Sequence, residues 1–304
     1  MSWQPALEAI CSGRDNCDPV DLVIRPKEHE LGGFSVYRAL PATERQMVGP
    51  FIFFDQMGPA TLAEDQPVNV RPHPHIGLST LTWLIEGTIM HRDSLGFAQE
   101  IHPGEVNWMT AGSGIVHSER TPERLLGQKN KLFGLQVWMA MPKDHEEDAP
   151  SFQHYKAEDI PHIDGDGFRA TVVAGKAWGK RSPVAVCTET LYVDLRLSDG
   201  TEMSLKPEHE ERAIYLLTGT LEVAGQPFEQ GEMLVLNPDM DVPIKAHGDA
   251  HVILIGGAKM DGPRFKFWNF VSSSRERIDQ AKADWKNGNF AKVPGDEEEF
   301  IPLP

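Results

Sequence analysis

Residues 84–112 read LIEGTIMHRDSLGFAQEIHPGEVNWMTAG, and residues 215–238 read YLLTGTLEVAGQPFEQGEMLVLNP. Both run strand, Gly-Thr, strand, turn, strand, Gly-Glu, strand. Gly87-Thr88 and Gly104-Glu105 in the first correspond to Gly219-Thr220 and Gly231-Glu232 in the second, with only a hairpin-length difference. Self-similarity of this kind fixes an architecture before any single element is read. Two copies of one β-barrel are expected.

The flanking chain fits that reading. VDLVI, FSVYRAL, FIFFDQM, LSTLTWLI, GEVNWMT, FGLQVWMAM, ATVVAG, LYVDLRL, AIYLLTG, TLEVAG, EMLVLN and HVILIGG are short, rich in branched and aromatic residues, and separated by Gly and Pro. Short strands with turn signals between them mean an all-β sandwich or barrel. Residues 274–287 break the pattern. Ser273 and Glu276 are spaced as a capping box, Ile278, Ala281 and Trp285 make an apolar stripe, and Gly288 supplies a stop. A helix packed on a sheet face is expected there.

The acidic, Pro/Gly-punctuated segment 142–167 is the expected connection between barrels. The chain accordingly divides into residues 1–150 and 151–304, the second part carrying the helix and an acidic, proline-flanked tail that drapes the surface.

Composition narrows the function classes. The 304 residues are 40% hydrophobic, enough for sizeable cores, and carry a net charge of −16. No basic cluster is present to read nucleic acid or an anionic membrane, so neither is expected as a direct partner. The N-terminus lacks a basic region followed by an apolar one, and runs such as HVILIGGA are too short to span a bilayer. Cys11, Cys17 and Cys187 match no zinc spacing and read as free thiols of a reducing compartment. A cytoplasmic location is expected.

Two histidine pairs carry the chemistry. RPHPHIG, residues 71–77, places His73 and His75 either side of a proline that pushes His73 towards an extended conformation. TAGSGIVHSERTPE, residues 110–123, places His117 and Glu119 at the same spacing after a glycine turn. Residues i and i+2 of a strand share a face. If the two strands are neighbours, His73, His75, His117 and Glu119 converge on one point. Three imidazoles and a carboxylate suit divalent iron, manganese, nickel, copper or zinc, with room left for water or substrate.

The other candidates are weaker. His91, His102, His145, His154, His162, His209, His247 and His251 fall in turns, linkers or lone positions and read as solvated or hydrogen-bonded side chains. Ser113 and Ser118 lie beside His117 without a nucleophile-elbow motif. Phe53, Phe54, Trp83, Trp108 and Trp138 read as barrel core, some of them able to wall a pocket over the metal.

HPHIGLSTLTWLIEGTIMHRDSLG followed by GEVNWMTAGSGIVHSE closely resembles the pirin family, a branch of the cupin superfamily, over most of the chain. The resemblance implies two tandem cupin barrels of the double-stranded β-helix, or jelly-roll, type. It implies a single metal in the N-terminal barrel, held at positions matching His73, His75, His117 and Glu119. Iron as Fe(II) is the expected ion, with nickel, manganese, copper, cobalt and zinc as alternatives. Most cupins take their glutamate just after the H-x-H pair, where Ser79 and Thr80 stand here; Glu119 from the second motif is the pirin arrangement. The second barrel has only His209, in PEHEER, and no third histidine in LNPDMDVPIK, so it is expected to hold no metal.

The family's described activity implies a quercetin 2,3-dioxygenase. Its substrates would be dioxygen and a small aromatic, flavonol-like molecule, cleaved with release of carbon monoxide, and Glu119 would be the general base. The alternative implied by the family is an iron-binding, redox-responsive regulatory protein that engages a protein partner without physiological flavonol turnover.

Overall fold

A computed structural model describes residues 18–31 and 34–304. Cys11 and Cys17 lie outside the described residues, and Cys187 is a free, exposed thiol. The fold is all-β, two cupin domains with one α-helix, Arg275–Lys286, among the described residues. Every apolar segment named above lies in or overlaps a strand. TLEVAG and AIYLLTG join through Gly219 into one long strand, Glu211–Val223.

The first barrel closes two antiparallel sheets on each other. One sheet has seven strands in the order Ser151–Tyr155, Val106–Thr110, Leu78–Glu86, Asn130–Ala140, Phe51–Leu62, Ser35–Leu40, Lys27–Glu30. The other has four: Asn69–His75, Ile115–Arg120, Ile89–Asp93 and Ala98–Ile101. Val36, Met57 and Leu84 of the first pack with Ile89 and Ile101 of the second. The second barrel is a ten-stranded sheet around an aliphatic core that includes Val172, Val193, Leu216, Leu234 and Leu254.

The internal repeat is visible in backbone geometry. Gly87 and Gly219 have φ of 96° and 91°, and Gly104 and Gly231 have 83° and 85°, conformations that only glycine adopts without strain. The glutamate after the second glycine does the same work in both copies. Glu105 Oε2 accepts the His102 amide at 2.8 Å, and Glu232 Oε2 accepts the Glu229 amide at 3.3 Å. A Gly-Glu turn therefore closes its own hairpin.

Two strands cross between the halves of the sequence. Val20–Ile24 pairs with Met233–Leu236 in the second barrel, and Ser151–Tyr155, just beyond residue 150, pairs with Val106–Thr110 in the first. One core is common to both barrels: Phe51, Phe54, Trp83 and Trp108 pack with Val173, Tyr192, Tyr215 and Ile253. Polar anchors tie the same seam. Trp83 Nε1 donates to Asp194 Oδ2 at 2.9 Å, the Tyr215 hydroxyl donates to Gln56 Oε1 at 2.6 Å, and Arg45 pairs with Glu211 at 2.8 Å.

The helix differs from expectation in its cap and its bed. Ser274, and not Ser273, accepts the Arg277 amide at 3.2 Å, while its hydroxyl donates to Glu276. The amide and hydroxyl of Ser273 both go to Glu146 instead. Ile278 and Ala281 pack on Ile76 and Phe270, so the helix lies on the hairpin Phe265–Phe267/Phe270–Ser272 and not on a main sheet face.

Candidate metal centre

The two histidine strands are neighbours. Asn69–His75 and Ile115–Arg120 run antiparallel with His73 opposite His117 and His75 opposite Ile115, and a bulge after His117 sets Glu119 opposite Val70. The turn feeding the second strand needs its glycine. Gly112 has φ +48°, and a Cβ there would lie 2.0 Å from the Asp148 carbonyl oxygen. With that turn in place, His73, His75 and His117 all face the barrel interior, and their ligand atoms lie within 4.8 Å of one another.

All three rings are buried, His73 at 6% exposure and His75 and His117 at 1% each. Burial pushes each pKa down, to about 4 for His73 and well below 6.5 for the other two, so neutral imidazoles with free lone pairs are the stable form. The contacts then dictate where the protons sit. His73 Nδ1 is 2.9 Å from the Arg71 carbonyl, which can only accept, so Nδ1 carries the hydrogen and Nε2 is left as a donor atom. His75 Nε2 and His117 Nε2 face each other at 3.1 Å. Two imidazole nitrogens sharing an ion at about 2.1 Å each take up this spacing, so the donor set fits a divalent metal. His75 lies by the Asn269 backbone, which favours its protonated form, while its Nδ1 has no partner in hydrogen-bond geometry.

Glu119 stands outside the three-histidine group. A hydrogen bond with Thr82 favours ionisation of its carboxyl. Burial outweighs that bond and pushes the carboxyl up to about 7, although part of the residue's surface stays accessible. The aromatic wall divides as the strand faces require. Phe54, Trp83 and Trp108 belong to the core between barrels. Phe53 stacks on Trp138 at 3.9 Å, and the Trp138 ring meets the His75 ring edge-on at 5.0 Å.

His91 is hydrogen-bonded, to Asp93, but its position beside His117 was not read from the sequence. It lies in the strand Ile89–Asp93, 4% exposed, with its Nδ1 3.4 Å from His117 Nδ1. Only register places it there: Glu119 is opposite His91, and His117 opposite Asp93. The H-x-D spacing of His91 and Asp93 was the available signal. In the second barrel His209 is held by Glu189 Oε1 at 2.7 Å and by the Lys176 carbonyl at 2.9 Å, beside a cavity of about 30 Å³.

Comparison with known proteins follows this geometry. The pirin family profile matches residues 33–139, and that of the pirin C-terminal cupin domain matches residues 192–291. The chain belongs to the pirin family. A pirin-like protein of Caulobacter vibrioides is 47% identical over 94% of this chain and 99% of that protein. Human pirin is 31% identical over 88% of this chain and 92% of its own length. The crystal structure of quercetin 2,3-dioxygenase from Acinetobacter baumannii superimposes with a TM-score of 0.86 at 35% identity, covering 93% of this chain and 94% of that one. In this pirin, three buried histidines are thus available to hold a metal ion. No helix among the described residues is long and apolar enough to cross a membrane.

Proposed function

We propose that this pirin is an iron-dependent dioxygenase that cleaves flavonols such as quercetin, with His73, His75, His117 and Glu119 as the metal ligands. The observation that carries the reading is the convergence of neutral imidazoles in a dry, aromatic-walled interior. The similarity to the Acinetobacter enzyme supports the choice of substrate class.

The metal, when bound, supplies Lewis acidity to the flavonol oxygen and redox access to dioxygen. The chain supplies the rest. Glu119 would accept the proton of the flavonol 3-hydroxyl at the carboxylate oxygen that does not hold the ion. Thr82 meets the carboxyl from the opposite sheet. Phe53 and Trp138, stacked on each other and buried, keep water from the His75 side of the site. Dioxygen adds to the electron-rich ring, which opens with loss of carbon monoxide. The second barrel braces the first without a metal of its own.

A second reading draws on the burial of the ligands. His75 and His117 are each 1% exposed, so a flavonol reaches the ion only if the surrounding wall moves. An iron-binding, redox-responsive protein that engages a protein partner needs no such opening. Turnover separates the two. The purified chain is loaded anaerobically with Fe(II), given quercetin and then oxygen, with metal-free protein and Glu119→Gln alongside. Repeated turnover with matching oxygen uptake, lost in both controls, is expected; metal bound without turnover would move the assignment to the regulatory reading.

A further inference from the structure

The site contains a buried polar pair that the reading above does not use. Asp93 is 1% exposed, and its Oδ1 accepts the Leu95 amide at 2.9 Å and the Phe97 amide at 3.2 Å. Those two bonds hold the carboxylate in one orientation. Its other oxygen, Oδ2, faces His91 Nε2 at 2.9 Å. The His91 ring lies flat on Phe152, with centroids 4.3 Å apart and planes at 12°. On its far side His91 Nδ1 faces His117 Nδ1 at 3.4 Å, at the long end of hydrogen-bond range.

We propose that Asp93 and His91 are a positioning pair for the metal ligand His117, fixing its tautomer and ring plane so that Nε2 is the donor atom. The reasoning is proton bookkeeping along one line of atoms. An ionised carboxylate only accepts, so His91 must carry its hydrogen on Nε2. A neutral His91 then offers a lone pair at Nδ1, and His117 must donate from its own Nδ1. The His117 lone pair is left on Nε2, the atom 3.1 Å from His75 Nε2. The opposite arrangement would put a hydrogen on His117 Nε2, where it would block the ion. An outer partner on the non-ligating nitrogen both orients a ligand histidine and raises its basicity. The Arg71 carbonyl does this for His73, but His117 receives it from another imidazole, itself held by a carboxylate.

The inference rests on His117 being a metal ligand, and its test is built so that the two can fail separately. The first measurement needs no metal. Long-range proton–nitrogen NMR correlation on the metal-free, histidine-labelled chain reads the tautomer of His117 directly, with hydrogen on Nδ1 expected. In Asp93→Asn the side-chain oxygen must still accept the Leu95 and Phe97 amides, which turns the NH2 towards His91. The proton order along the line then reverses, and the His117 hydrogen is expected on Nε2.

The second measurement is affinity for Co(II), read by competition with a chromophoric chelator and by the visible spectrum of the bound ion. Asp93→Asn and His91→Phe, which keeps the stack on Phe152 but offers no acceptor, are expected to lose about 10- to 100-fold. His91→Gln, which restores an acceptor, is expected to recover part of that loss. Hydrogen on Nε2 of His117 in the unmutated chain would overturn the proposal. So would a Co(II) affinity unchanged in Asp93→Asn, or a loss there with the tautomer unaltered, which would mark a merely structural effect. Failure of the unmutated chain to take up Co(II) would overturn the metal reading, while the tautomer would still decide the pair.

Discussion

Each of the three clustered histidines gives up hydration for a dry interior, and that exchange has a measurable consequence in the metal-free protein. His73 titrates near 4 when folded and near 6.5 when unfolded, with His75 and His117 shifted the same way. As pH falls from 6.5 towards 4, the unfolded chain therefore binds protons that the folded chain refuses, and stability drops. His73 alone contributes a loss on the order of 3 kcal/mol across that window. Glu119, raised to about 7, acts with the opposite sign between 7 and 4.5, as one group against three. Denaturant unfolding of metal-free protein at pH 7 and pH 4.5 should show the fall, and Zn(II) at pH 7 should raise the midpoint because it binds only the neutral rings. His75→Ala and His117→Ala should lose most of the bound metal in elemental analysis, whereas His209→Ala, whose ring is tied to Glu189 and the Lys176 carbonyl, should keep it.

The i, i+2 spacing of His73 with His75 and of His117 with Glu119 was legible in the chain because strand geometry is local. His91 was not, since its place beside His117 depends on which strands pair and in what register. Glu119 illustrates the intermediate case. Its face follows from spacing, but the bulge after His117 that sets its reach does not.

Single elements show the same division between local and distant information. The helix was legible from its stripe and stop, yet two adjacent serines competed for its cap. Ser274 takes the cap because Ser273 is drawn to Glu146, from which it is separated by 126 intervening residues (|i−j| = 127). Within the run DHEED of the connecting segment, Glu146 is 4% exposed and its neighbour Glu147 is exposed, a difference that charge pattern cannot encode. Arg264 Nε meets Glu146 at 2.6 Å, and its guanidinium also donates to the Met141 carbonyl at 2.8 Å. Ser274→Ala should cost about 1 kcal/mol of unfolding free energy. Glu146→Ala should cost more, about 2 kcal/mol or above, because it takes one carboxylate from a buried guanidinium that keeps only Asp261, and it leaves the Ser273 amide without its partner. Chemical denaturation of both variants checks the order, and an equal cost would mean that the buried contacts of Glu146 add no more than a helix cap.

At the scale of the whole molecule the two barrels depend on each other. The repeat announced two copies of one architecture, and the folded chain has them, but no repeat foretells an exchange of strands. Val20–Ile24 completes the second sheet and Ser151–Tyr155 completes the first. Phe51, Phe54 and Trp108 would meet water if the second barrel were removed. A fragment of residues 1–150 should therefore be insoluble or expose enough apolar surface to bind a hydrophobic dye, even with metal supplied. A fragment that stayed monomeric and bound Co(II) at full affinity would show the first barrel to be self-sufficient. Sequence left this open because the aromatic residues of a barrel core and of a barrel interface alternate in the same way along a strand.

The tail closes the molecule from behind. Arg120, next to Glu119, holds Asp296 with two bonds at 2.6 and 2.7 Å and reaches Glu299 at 2.9 Å. The Ile301 amide donates to the carbonyl of Pro72, the residue just before His73 in its strand, at 2.9 Å. The strand bearing His73 and His75 thus takes its outer backing from a residue far downstream of it, so a nascent chain that already carries all three histidines still lacks that cover.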